Sequence, residues 1–129
     1  MNVLFIEDDP MNRRVVRDML DVAGAAMAEA EDGPTGLAMI DADDYAVVLL
    51  DLRMPGMDGL EVLAQVRSRD DAKARVPVIV VTADTAPDLR TRCLAAGADE
   101  VLFKPVAMDA LFDAMGRILA RDEDGGVIA

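Results

Sequence analysis

Five short apolar runs recur along the chain, and each is followed by an amphipathic stretch. The runs cover residues 3–6, 26–30, 45–50, 76–81 and 101–103. They are too short for helices, and Val, Ile and Leu dominate most of them, so they predict strands. The run 45–50 is apolar throughout, which suits a central strand buried on both faces. The stretches between the runs carry helix signals. Asp9 followed by Pro10 is an N-cap acid with proline at the first helical position. Met11, Val15, Met19 and Leu20 then recur at helical spacing, and Gly24 supplies the stop. Gly33 and Pro34 lead into a second helix over 35–42. Asp58 and Glu61 suggest a capping box for a third helix, ending near Asp70. Pro87 opens a fourth, with Leu89, Cys93 and Leu94 inward and Gly97 closing it. Met108, Leu111, Phe112, Met115, Ile118 and Leu119 make the clearest apolar stripe, a fifth helix.

Strands alternating with helices need right-handed crossovers, which puts all five strands in one parallel sheet with helices on both faces. The expected fold is α/β, a flavodoxin-like (βα)5 three-layer sandwich with strand order 2-1-3-4-5. The 129 residues suit one domain, expected over 1–121, with 122–129 as an acidic flexible tail. Aromatic residues make up only 3%, so the core must be aliphatic and methionine-rich. In the expected strand order the topology switches direction between strands 1 and 3. Ligands of such sheets bind beyond the carboxyl ends of the strands, at that switch.

The net charge of -12 disfavours nucleic acid and anionic membranes, and there is no basic stripe or aromatic platform. Self-repulsion of that size favours a monomer. The chain has no His, which removes His-based triads and most zinc sites. Cys93 is single and sits in an apolar helical pattern, as a buried thiol in a reducing compartment would. The first apolar run ends at Glu7, far too short for a signal peptide or a membrane span. A cytoplasmic protein is expected.

The residues at the predicted carboxyl ends carry the chemistry. Strand 1 delivers Glu7, Asp8 and Asp9, strand 3 Asp51, strand 4 Thr82 and strand 5 Lys104. Strand ends are usually polar, so no single one of these means much. Glu7, Asp8 and Asp51 gathered at one edge with a hydroxyl and a lysine mean more. Crowded carboxylates need a proton or a cation between them. An all-oxygen site favours a hard ion, and Mg²⁺ binds through few carboxylates and a phosphate oxygen. A carboxylate can also act as nucleophile and form an acyl phosphate. Phosphoryl transfer asks mainly for positioning and positive charge, which Mg²⁺ and Lys104 would supply.

The chain resembles the receiver domains of two-component response regulators, the CheY-like family. The likeness runs from Val3 to about Ala120. It rests on Ile6-Glu7-Asp8-Asp9, Asp51-Leu52-Arg53-Met54-Pro55-Gly56-Met57-Asp58-Gly59, Val81-Thr82-Ala83, Gly97-Ala98-Asp99 and Phe103-Lys104-Pro105, in order and at family spacing. The resemblance implies a phosphorelay switch rather than an enzyme, catalysing only its own phosphorylation and dephosphorylation. It implies that Asp51 accepts a phosphoryl group from a phosphohistidine on a histidine kinase or histidine phosphotransfer protein. It implies Mg²⁺ on Asp8, Asp51 and the backbone carbonyl of Arg53, with Glu7 holding the ion through water. Thr82 and Lys104 would contact the phosphate, Asp9 would cap the helix, and the Lys104–Pro105 bond would be cis. The kinase side would meet helix 1 and the loop at Pro105 and Val106. A downstream protein would read helix 4, strand 5 and helix 5.

The chain departs from the family pattern at Val101, where an aromatic switch residue often stands. Readout through the loop after strand 4 and helix 4 is the expectation in its place. Arg53 and Asp84, each two residues past a site residue, are expected to pair across the site and slow loss of the phosphate. Two other functions stay in view. A Mg²⁺-dependent phosphohydrolase with an Asp nucleophile would usually show Asp-x-Asp, and Asp51-Leu52-Arg53 lacks the second acid. A receiver-like scaffold that takes no phosphate would not need the intact set of Glu7, Asp8, Asp51, Thr82 and Lys104.

Overall fold

The computed structural model describes residues 1–128, with side chains through Arg121. The strands are β1 (Asn2–Ile6), β2 (Ala26–Ala30), β3 (Val47–Asp51), β4 (Val78–Thr82) and β5 (Glu100–Phe103). The helices are α1 (Pro10–Val22), α2 (Gly33–Ala42), α3 (Gly59–Arg67), α4 (Leu89–Ala95) and α5 (Met108–Ile128). All strands are parallel, in the order β2-β1-β3-β4-β5, as the alternating pattern predicts. The side chains of 122–129, the expected tail, lie outside those described.

Alternation along the strands divides the core into two layers. Val3, Phe5, Val47, Leu49, Ile79 and Val81 pack with Val16 and Leu20 of α1 and Leu111, Met115 and Ile118 of α5. Leu4, Ile6, Val48, Leu50, Val78 and Val80 face the other way. They pack with Ile40 of α2, Val62, Leu63 and Val66 of α3, and Leu89 and Cys93 of α4. Both layers are mostly aliphatic and cover the sheet on both sides, so β1, β3 and β4 are shielded from water except at their ends.

The caps explain most boundaries. Asp9 accepts the Met11 N–H, Asp32 the Thr35 N–H and Asp58 the Glu61 N–H. Asp32 thus starts α2 at Gly33, two residues before the expected Thr35. Residues 72–75 form a 3₁₀ turn capped by Asp71, so β4 begins at Val78 rather than 76. Helix α3 ends at Arg67, short of Asp70, where the Arg67 guanidinium turns back onto the Gly97, Ala74 and Val76 carbonyls.

Some expected inward residues are exposed. In α1 the buried line is Val16 and Leu20, which leaves Met11 65% and Val15 43% exposed. Residues 15 and 16 stand about 100° apart around the helix, so only one can lead the buried face. Leu94 is exposed for the same reason, because Leu89 and Cys93 hold the inner face of the short α4. Cys93 itself is fully buried and free. Among the described residues no helix is long and apolar enough to cross a membrane.

Candidate functional site

Register brings the site together. Ile6 of β1 pairs with Leu50 of β3, so Glu7 and Asp51, the next residues, stand level at the carboxyl edge. Asp51 in turn pairs with Val81 of β4, and Thr82 with Phe103 of β5, which puts Thr82 and Lys104 just beyond. Asp51 continues the parity of Val47 and Leu49, and Glu7 that of Val3 and Phe5. Both carboxylates therefore leave the sheet on the side of α1 and α5.

Glu7, Asp8 and Asp51 each offer a carboxylate oxygen, and these oxygens lie within 4.8 Å of one another. Glu7 and Asp51 are buried, and Asp8 is exposed at the mouth. Lys104 Nζ donates to Glu7 Oε1 at 2.9 Å and lies 3.5 Å from Asp51 Oδ1. Asn12 Nδ2 donates to the same Glu7 Oε1 at 2.6 Å. Glu7 Oε2 is, among the described residues, a buried side-chain oxygen with no hydrogen-bond partner. Native interiors seldom leave such an atom unpaired, and an unpaired carboxylate oxygen within a cluster of acids suits a cation. All the donors are oxygen, which fits Mg²⁺ among the common ions.

The electrostatics follow from this crowding. Burial raises the Glu7 pKa most, the adjacent Asp51 raises it further, and Lys104 and Asn12 only partly offset them. The Glu7 carboxyl is pushed up to about 7. Burial works against the Lys104 charge, but the Glu7 and Asp51 carboxylates outweigh it and raise the Lys104 pKa. Without a cation the site holds more negative charge than Lys104 can balance.

The loop after Asp51 closes tightly over it. Arg53 N–H approaches Asp51 Oδ1 at 3.4 Å, a long contact. Gly56 sits at φ +80°, the left-handed region that favours glycine. A Cβ on Gly59 would lie 2.3 Å from the Asp51 backbone oxygen and 2.8 Å from Leu52 Cα. Only glycine lets the start of α3 come this close to the end of β3.

The other expected residues fall into place with some differences. Thr82 is fully buried, but its Oγ1 accepts the Asp84 N–H at 3.1 Å and does not bond the acids. Arg53 and Asp84 do pair, at 3.2 Å. The Ala86 N–H and the Arg53 guanidinium hold the Asp84 carboxyl below its ordinary range. Lys104–Pro105 is cis. Val101 is buried among the α3 and α4 residues, and Phe103 is 45% exposed. Two contributors went unread in the sequence. Asn12 touches the Glu7 carboxylate, and Arg13 Nη1 donates to the Glu7 backbone oxygen at 2.7 Å. The available signal was their place on the first turn of a helix that starts beside the acids.

Comparison with known proteins agrees with this geometry. The family described as the response regulator receiver domain matches residues 3–116. The chain is 38% identical over 119 residues to the sensor histidine kinase AruS of Pseudomonas aeruginosa, covering 92% of this chain and 12% of that protein. It is 38% identical over 121 residues to the response regulator MprA of Mycobacterium avium, covering 94% of this chain and 52% of that one. The chain thus spans about half, or much less, of these relatives. Among solved structures it resembles the receiver domain of the sensor histidine kinase PA1611 from Pseudomonas aeruginosa, which has a magnesium ion coordinated in its active-site cleft. That likeness has a TM-score of 0.83 at 29% identity, over 92% of this chain and 97% of the other. The chain belongs to the family of response regulator receiver domains.

Proposed function

We propose that this domain works in a phosphorelay, taking a phosphoryl group onto Asp51 from a phosphohistidine of a histidine kinase or histidine phosphotransfer protein. The observation that carries this is the buried pair Glu7 and Asp51, with an unpartnered Glu7 oxygen and Lys104 beside both. An Asp51 carboxylate oxygen attacks phosphorus, the P–N bond of the donor breaks, and the imidazole nitrogen leaves with its electron pair. Lys104 is close enough to Asp51 Oδ1 to shift from Glu7 to a phosphoryl oxygen. Thr82 offers a buried hydroxyl from the next strand. The loop after Asp51 offers backbone N–H groups for the developing charge.

Mg²⁺ would be held by Asp8, Asp51 and the backbone carbonyl of Arg53, with Glu7 through water. When bound it supplies positive charge to the phosphoryl oxygens. The receiver of PA1611 holds magnesium in its cleft, which supports the same ion here. The domain acts as a switch and catalyses only its own phosphorylation and dephosphorylation. A cytoplasmic place suits the free buried thiol of Cys93.

Recognition of the histidine donor would use α1 and the loop at Pro105 and Val106. A cavity of about 130 Å³ lies there, lined by Val15, Val16, Pro105 and Val106. A downstream protein would read α4, β5 and α5. Val101 lies in the core without an aromatic ring, so readout would run through Thr82, the loop after β4 and α4. Mass spectrometry after incubation with a small phosphodonor tests the chemistry. A Mg²⁺-dependent phosphoryl mass gain, absent in Asp51→Asn, is expected. No gain in the wild type would overturn the proposal.

A further inference from the structure

Glu7 is bonded through both its main chain and its carboxylate, and of the two donors on the carboxylate only Asn12 is free to stay when a phosphoryl group arrives. Its backbone N–H donates to Ala30 O at 2.9 Å, and its backbone oxygen accepts from Arg13 Nη1. These fix the main chain and leave the carboxylate to side-chain partners. Its Oε1 has two donors, Lys104 at 2.9 Å and Asn12 at 2.6 Å. Its Oε2 has none. Lys104 also lies 3.5 Å from Asp51 Oδ1, so it is the group that moves toward charge added on Asp51. Once it turns away, a fully buried carboxylate would keep no donor unless Asn12 remains.

We propose that Asn12 is a positioning residue for the Mg²⁺ and phosphoryl site. It anchors Glu7 Oε1 independently of Lys104, aims Oε2 at the cation, and frees Lys104 for the phosphoryl group. Its place in the chain supports this. Asp9 is the N-cap of α1, so Asn12 is the third helical residue. A polar side chain at that position ordinarily reaches back to the N-cap backbone. Here it reaches past the cap to the residue two before it. Because α1 is rooted in the core by Val16 and Leu20, the amide is presented from a fixed element. Groups that orient metal-binding carboxylates typically change metal affinity 10–100-fold when removed.

This role rests on the proposed function, and one titration separates the two. Mg²⁺ binding is measured by calorimetry for the wild type and for Asn12→Leu, which keeps the branched shape and removes the amide. Circular dichroism checks that the variant is folded, and Asn12→Ala serves where Leu disturbs the helix. The dissociation constant is expected to rise about tenfold. Phosphoryl uptake from a small phosphodonor at saturating Mg²⁺ is expected to slow as well, because Lys104 must then abandon an otherwise unbonded Glu7. A folded variant that binds Mg²⁺ within twofold of wild type overturns the role of Asn12 alone. A wild type that binds no Mg²⁺ overturns the proposed function and this role together.

Discussion

Glu7 carries a cost that appears as pH dependence. Its carboxyl is pushed up to about 7 from an ordinary value of 4.5, chiefly by burial. The folded state therefore binds that proton more tightly than the unfolded chain. Between about pH 4.5 and 7, without Mg²⁺, stability must fall as pH rises. The ceiling on the loss is about 3 kcal/mol, from the size of the shift. Lys104 adds no opposing slope, since its raised pKa keeps it charged throughout. Urea unfolding at pH 5 and pH 8 without Mg²⁺ should show the drop, and Glu7→Gln should abolish it. Equal stability of the wild type at both values would contradict the burial argument. Arg53 acts at the same scale but on kinetics. Its pair with Asp84 links the loops after β3 and β4 while Arg53 itself stays 71% exposed, so it adds little to stability. Arg53→Ala should leave unfolding unchanged and speed loss of the phosphoryl group from Asp51 several-fold, followed as decay of the phosphorylated mass.

At the scale of elements, the site depends on how closely α3 approaches β3. Gly59→Ala would drive a methyl into the Asp51 carbonyl, where backbone on both sides cannot yield cheaply. It should destabilise the domain by about 1–3 kcal/mol and impair phosphoryl uptake, because the displaced atom belongs to the acceptor residue. Denaturant unfolding and phosphodonor kinetics on the same variant would check both. The strands and their order were legible in the sequence because continuous apolar runs have few other uses. Their carboxyl ends then located Glu7, Asp51, Thr82 and Lys104 without any contact being known. Helix faces were less legible. Met11 and Val15 are as apolar as Val16 and Leu20, and only packing against Phe5 and α5 decides which pair is buried. The 3₁₀ turn at 72–75 was hidden for another reason, since its cap at Asp71 precedes charged residues with no apolar period. Asn12 was missed because its partner is set by the reach of a side chain, which spacing does not encode.

Across the whole molecule, chemistry and stability occupy opposite ends of the sheet. The carboxyl ends hold unbalanced acids. The amino ends are tied by Arg67, which donates to the Gly97, Ala74 and Val76 carbonyls and to Asp99. Asp99 also accepts the Val78 N–H at the start of β4 and meets Arg121 of α5. This knot joins α3, β4, β5 and α5 far from the acids. Arg67→Ala should therefore cost about 3 kcal/mol of stability and leave Mg²⁺ affinity of the folded protein unchanged. A change in affinity would show that the two ends are coupled. The central claim is that Asp51 itself becomes the acyl phosphate. An acyl phosphate is reduced by borohydride, whereas a free carboxylate is not, so reduction after phosphodonor treatment marks the acceptor permanently. Peptide sequencing by mass spectrometry should find homoserine at position 51, only when Mg²⁺ was present. A mark at Glu7 or Asp8, or none in a protein that has gained phosphoryl mass, would contradict the account.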